Sequence, residues 1–216
     1  LYKEWKKGDA SREAFLHQAA KIPGIYVPSL YEVSYKEDGT LASMEPVYDD
    51  IPKKIEKQVV TELTASVYPD KPVVPFLKVT QDRVVLEVQR GCIRGCRFCQ
   101  AGMIYRPLRE KDVERLKRQA DIMLKNTGYE EISLSSLSTS DYRELEDLIN
   151  YLIEHHGKEH VNISLPSLRV DAFSLDVMGK VQDIKKSSLT FAPEAGSQRL
   201  RDVINKGLNE EIILHL

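Results

Sequence analysis

Apolar positions recur with two different periods along this chain, and the change of period divides it. In 11–21 the apolar residues Phe15, Leu16 and Ala19, continued by Ile22, fall at helical spacing. Ser11 is placed to cap that helix and Pro23-Gly24 to end it. Ile25-Tyr26-Val27 and 31–35 then follow the alternation of strands, and Asp38-Gly39 predicts a hairpin turn before Leu41. Tyr26, Tyr31 and Tyr35 suit strand packing. Between Pro46 and Pro75, prolines, lysines and short apolar stretches predict an extended connector.

From Phe76 the pattern changes to strands alternating with amphipathic helices. Strands are predicted at 84–88, 132–135, 161–165 and 188–192. Helices are predicted at 112–126, at 141–155 with Ser140 or Asp141 as cap, near 174–182, and from Ser197 onward. Such alternation builds βα units on a parallel sheet. About four units fall short of the eight of a closed barrel. The predicted fold is therefore α/β, a partial (βα) barrel with parallel strands preceded by a small β-containing N-terminal segment. Residues 1–24 are assigned to the helical tail of a preceding domain, 25–75 to a hairpin and connector, and 76–216 to the core, truncated after about four βα units. The chain starts without methionine and stops within an amphipathic stretch, so both ends are expected to be cuts in a longer protein.

Composition narrows the picture. With 42% hydrophobic residues among 216, the chain supports one well-packed domain. A formal charge of -2 gives no general basic field, so nucleic acid is a possible partner without support from charge. No apolar run approaches the ~20 residues of a membrane span, and the charged start lacks the apolar core of a secretion signal. The three cysteines all lie between 92 and 99. An odd cluster this tight argues for a metal site in a reducing, cytoplasmic setting rather than for disulfides.

The cysteines form Cys92-x-x-x-Cys96-x-x-Cys99, directly after a predicted strand. The carboxyl ends of strands are where α/β folds place reactive groups. Three thiolates on one short loop suit a soft metal centre, with Gly91 and Gly95 allowing the tight wrap. An iron–sulfur cube usually takes four cysteines, so a triad leaves one iron open to a ligand. A zinc site completed by histidine is the rival, but the histidines lie far along the chain. His155, His156 and His160 gather at a predicted helix end, where the helix dipole favours them. Structurally inert cysteines would not need this spacing.

The triad, with Phe98 just before its third cysteine, resembles the radical S-adenosylmethionine (SAM) superfamily. The stretch 90–107, with 135–142 and Pro193-Glu194-Ala195-Gly196-Ser197, is similar to a bacterial group that pairs a degenerate cobalamin-binding-like N-terminal domain with a radical SAM core. The likeness covers at least residues 76–207. It implies a 4Fe–4S cluster on Cys92, Cys96 and Cys99, with the amino and carboxylate groups of SAM on the open iron. It also implies an electron from a reductant such as a flavodoxin or ferredoxin, cleavage to a 5′-deoxyadenosyl radical, and hydrogen abstraction from an unknown substrate.

By the same resemblance Phe98 lies near the adenine. The Gly-Gly-Glu-like motif of the family is replaced here by Ser135-Ser136-Leu137-Ser138-Thr139. Ser136 and Ser138 are candidates for the SAM amino group, or, for the serines before the helix, simple caps. At the third strand end, Ser167 is a candidate for a ribose hydroxyl and Arg169 for the SAM carboxylate, against a plain surface arginine. Glu194 is a candidate for the amino or ribose groups, against a carboxylate favoured by the helix dipole. The alternative function is a non-catalytic iron–sulfur module for electron transfer or sensing.

Overall fold

In the computed structural model, which describes residues 1–169, 171, 179–182 and 191–214, the chain divides into two compact units, Leu1–Val60 and Thr61–Leu216. In the first, α1 (Tyr2–Trp5) and α2 (Arg12–Ala19) are short, and the Ser11 hydroxyl caps α2 by accepting from Ala14 N at 3.1 Å. β1 (Tyr31–Tyr35) and β2 (Leu41–Pro46) pair antiparallel around the turn, where Asp38 Oδ1 accepts from Thr40 N at 2.9 Å. A two-stranded hairpin is marginal alone. Here Ala20, Val27, Leu30, Tyr31 and Ile51 give it a small core, with Leu16 and Ile55 packed alongside.

The second unit carries the parallel sheet. β3 (Val84–Glu87) runs through β4 (Gln89–Arg90) into the cysteine loop and α3 (Gln100–Ile104). β5 (Arg109–Glu110) returns antiparallel on β4 and leads to α4 (Val113–Thr127). β6 (Glu131–Ser135), α5 (Leu145–His156) and β7 (Asn162–Ser164) follow. The order is β3-β6-β7, both pairs parallel. Among the described residues this is an α/β partial barrel.

One sheet face supplies Val84, Leu86, Ile132, Leu134 and Ile163 to the core. Leu116, Ala120 and Met123 of α4 and Leu148, Ile149 and Leu152 of α5 cover it. Burying such side chains stabilises by about 1.5–3 kcal/mol each relative to exposure. The helical repeat of α4 is bounded by local signals. Asp112 accepts from Arg115 N at 2.9 Å at one end, and Gly128 takes φ 68° at the other. The free edge of β3 is blunted by the segment before it, since Tyr68 donates its hydroxyl hydrogen to Val85 O. No helix among the described residues is long and apolar enough to cross a membrane.

Ile25-Tyr26-Val27 form no strand, and three later predicted elements differ or fall partly outside the described residues. The helix predicted from 141 begins at Leu145, preceded by a 3-10 turn over Thr139–Asp141. The caps proposed for it are engaged elsewhere: Ser140 Oγ accepts from Arg169 N at 2.8 Å, and the Asp141 carboxylate binds Arg94. Of the fourth strand predicted at 188–192, residues 188–190 lie outside the described residues and 191–192 are not in a strand, while most of the helix near 174–182 lies outside, although 179–182 are helical. The last predicted helix is present as Gln198–Val203, capped by Ser197.

Gly91 turns the chain from β4 into the cysteine loop at φ 92°, and a Cβ there would lie 2.7 Å from the carbonyl oxygens of both Pro107 and Tyr105. Those obstacles are backbone and cannot swing aside. Gly91→Ala is expected to destabilise the unit by about 1–3 kcal/mol in urea unfolding. Gly196→Ala, with nothing within 4 Å of its Cβ, is the control expected to stay within about 1 kcal/mol; equal costs for the two would refute the steric argument.

Candidate functional site

The cysteine loop is held by contacts from three directions. Within the loop, Cys92 Sγ accepts from Arg94 N at 3.4 Å and Cys99 Sγ from Gly102 N at 3.3 Å, the latter as the N-cap of α3. From the far end of the chain, Asn205 Nδ2 donates to Gly95 O at 2.8 Å, and Arg97 N donates to Ile204 O at 2.9 Å. From the strand ends, Asp141 accepts from Arg94 Nε at 2.9 Å and from Nη2 at 2.5 Å, while Asp171 accepts from Arg94 Nη1 at 3.1 Å. All three thiols are free and partly exposed.

Cys92, Cys96 and Cys99 line one cavity of about 250 Å³. Of the other residues singled out in the sequence, Phe98, Ser138, Ser167, Arg169 and Glu194 share it. Ser136 does not. It lines a neighbouring cavity of about 290 Å³ behind Gly91, with Glu87 and Gln89, and its hydroxyl pairs with Thr139 Oγ1 at 2.9 Å. Leu137 lines both cavities. Ser138 is buried and donates to Asp141 Oδ2 at 2.6 Å. Gln89, also buried, pins the same loop by donating Nε2 to Ser138 O at 2.6 Å.

Arg169 is not a free cation. Its Nε and Nη2 donate to the two oxygens of Asp171, each at 2.9 Å, and Nη2 also donates to Lys206 O at 2.9 Å. Lys206 itself was not anticipated. Its ammonium lines the cavity 3.2 Å from Glu194 Oε1, so two opposite charges face the same space. Asp141, Asp171 and Asn205 were missed as well. Each is an ordinary polar residue in sequence, and only long-range contacts reveal it.

The donor set suits a sulfur-ligated iron centre. Three soft thiols stand on one loop, amide N–H groups already point at two of the sulfurs, and among the described residues no histidine lines the cavity. His156 instead pairs with Asp121 at 2.9 Å, and His155 stacks on Tyr151 at 4.0 Å. Among the described residues, no three His, Cys, Asp or Glu side chains gather to hold a single ion.

Burial alone would push the Asp141 carboxyl up, but the hydrogen bonds from Arg94 and Ser138 and the Arg94 charge bring it below its ordinary 3.8. A carboxylate held low in the folded state contributes stability above its unfolded pKa and loses it as pH falls through the folded value. Asp141→Asn is expected to cost about 1–3 kcal/mol near neutrality. The substitution should also flatten the acid side of the stability–pH curve. An unchanged acid slope would show that Asp141 is not the group responsible.

Residues 86–216 match the family model of the radical SAM superfamily. The chain is 40% identical over 129 residues to an uncharacterised protein of Methanocaldococcus jannaschii, covering 60% of this chain and 28% of that protein. It is 24% identical over 136 residues to the threonylcarbamoyladenosine tRNA methylthiotransferase of Aquifex aeolicus, covering 60% and 32%. It is 29% identical over 89 residues to the ribosomal protein uS12 methylthiotransferase of Prosthecochloris aestuarii, covering 41% and 18%. The chain thus spans under a third of the length of these relatives. With its cysteine loop at the carboxyl end of a parallel strand and more than half its length matched, the chain belongs to the radical SAM superfamily.

Proposed function

We propose that this chain holds a 4Fe–4S cluster on Cys92, Cys96 and Cys99, binds SAM in the adjoining cavity, and so begins hydrogen abstraction from a substrate. The observation that carries this is the opening of all three thiols onto one cavity that Glu194 and Lys206 also line. A 4Fe–4S cluster held by Cys92, Cys96 and Cys99 would, once reduced, supply the single electron that reductive cleavage of SAM requires.

The chain's own residues bind and orient. Lys206 offers a cation to the ligand's carboxylate, and Glu194 an acceptor to its ammonium or ribose hydroxyls. The occupied donors of Arg169 favour Lys206 for the carboxylate, with Arg169 behind it. Phe98, half-exposed at the cavity, offers an aromatic face to the adenine. Ser138 contributes by fixing Asp141, and Ser167 borders the ribose side. Ser136 reaches the ligand only past Leu137. A flavodoxin- or ferredoxin-type protein would supply the electron, and cysteines without disulfide partners favour a reducing cytoplasm. The named relatives act on a tRNA and on a ribosomal protein. We take the radical SAM chemistry of the matched family, rather than either relative's substrate, as this chain's function.

The test is anaerobic reconstitution of the full-length protein with iron and sulfide, followed by dithionite and SAM. Formation of 5′-deoxyadenosine and a SAM-induced change in the EPR signal are expected. Single Cys→Ala variants at 92, 96 and 99 should lose most of the iron. Lys206→Ala should keep the iron but weaken SAM binding about tenfold. A preparation that binds zinc and no iron would overturn the proposal, and so would a cluster indifferent to SAM.

A further inference from the structure

Asp171 is not among the residues that line the cavity, yet the two sides of the site meet on its carboxylate. Its Oδ2 accepts from Arg94 Nη1 at 3.1 Å and from Arg169 Nη2 at 2.9 Å, and its Oδ1 accepts from Arg169 Nε at 2.9 Å. Toward the thiols, Arg94 lies between the first two cysteines, and its backbone N–H donates to Cys92 Sγ. Toward the ligand, Arg169 Nη2 also holds the backbone carbonyl of Lys206, whose ammonium faces Glu194. The side chains of Asp171, Arg169 and Lys206 are 12%, 10% and 12% exposed. Charges this withdrawn from water depend on their partners.

We propose that Asp171 is a positioning residue that couples the cysteine loop to the Lys206–Glu194 charge pair, so that thiol geometry and ligand orientation are set together. This rests on the function proposed above. An arginine fork suits such bridging, because guanidinium can bind two carboxylates in fixed directions while an ammonium is a point charge. Without the Asp171 carboxylate, Arg94 keeps Asp141 but loses its link to Arg169. Arg169 would then be a nearly buried cation stripped of its bidentate carboxylate partner, free to turn from the Lys206 carbonyl.

The experiment uses the full-length protein and two readouts independent of turnover. One is the rate of iodoacetamide alkylation of the three cysteines in the cluster-free protein. The other is the SAM Kd of the reconstituted protein by equilibrium binding. Asp171→Asn is expected to change both, speeding alkylation and weakening SAM about fivefold or more. Arg94→Lys should change chiefly alkylation, and Arg169→Lys chiefly the Kd. These two variants carry the test should Asp171→Asn fail to fold. Two outcomes would overturn the coupling: Asp171→Asn moving one readout without the other, or tightening SAM because a released Arg169 takes the carboxylate. A wild-type protein that binds no SAM refutes the proposed function instead, and is recognised before any variant is compared.

Discussion

The site depends on the parallel pairing of β3 with β6. The register runs from Val84 opposite Ile132 to Glu87 opposite Ser135, and Val88 N extends it by donating to Ser135 O at 3.1 Å. Parallel strands all leave the sheet at the same end. The cysteine loop after β3 and the serine-rich turn after β6 therefore begin side by side. β7 joins in the same direction, with Ile132 opposite Ile163, and brings Ser167, Arg169 and Asp171 to the same end. The apolar face against α4 and α5 holds this arrangement, so the driving force is hydrophobic while the chemistry sits where the strands run out.

At that end, charge serves as scaffold. Five arginines surround the cysteines in sequence: Arg90, Arg94, Arg97, Arg106 and Arg109. Charges this dense, were they unpaired, would surround the thiols with a positive field. The fold directs much of this charge onto neighbouring carboxylates and carbonyls. Arg90 forks onto Glu87 with two bonds of 2.7 Å, and Arg94 spans Asp141 and Asp171. Arg97 and Arg109 donate to backbone carbonyls, of Val203 and of Pro107 and Tyr105. Pairs this near the interior gain little net energy, because desolvation opposes the attraction. Their value is direction: a bidentate fork fixes orientation as well as distance.

The sequence disclosed what local physics decides. Ser11 caps α2, the apolar repeat of α4 stops at a glycine that takes the left-handed conformation, and alternation located the strands of the sheet. The cysteine triad was legible because its ligand logic lies within eight consecutive residues. Where local and distant interactions competed, the sequence misled. Ser140 and Asp141 looked like caps for α5, but partners 29 and 47 residues away take their oxygens, and the helix starts later. Lys206 and Asp171 carried no signal at all. Lysine and aspartate are common on surfaces, and these two acquire meaning only through contacts spanning 37 and 77 residues.

The backbone shows the same convergence. Among the described residues, four non-glycine positions take positive φ: His160, Ser167, Glu194 and Asn205. Ser167 and Glu194 line the cysteine cavity, and Asn205 directly precedes Lys206. A left-handed residue other than glycine costs about 1–2 kcal/mol, and it persists only where surrounding contacts over-determine it. Those contacts are present. Ser167 O accepts from Thr139 N at 3.2 Å, Glu194 pairs with Lys206, and Asn205 is bonded through its side chain to Gly95 O. Ser167, Glu194 and Asn205 are thus each restrained by a neighbour from another segment of the same site. Strain distributed this way has a chemical use. Groups locked before a ligand arrives need not reorganise when it does, and the orientation cost is met by the fold in advance. For the hydrogen abstraction proposed above, such rigidity at the strand ends would matter more than any single contact within the cavity.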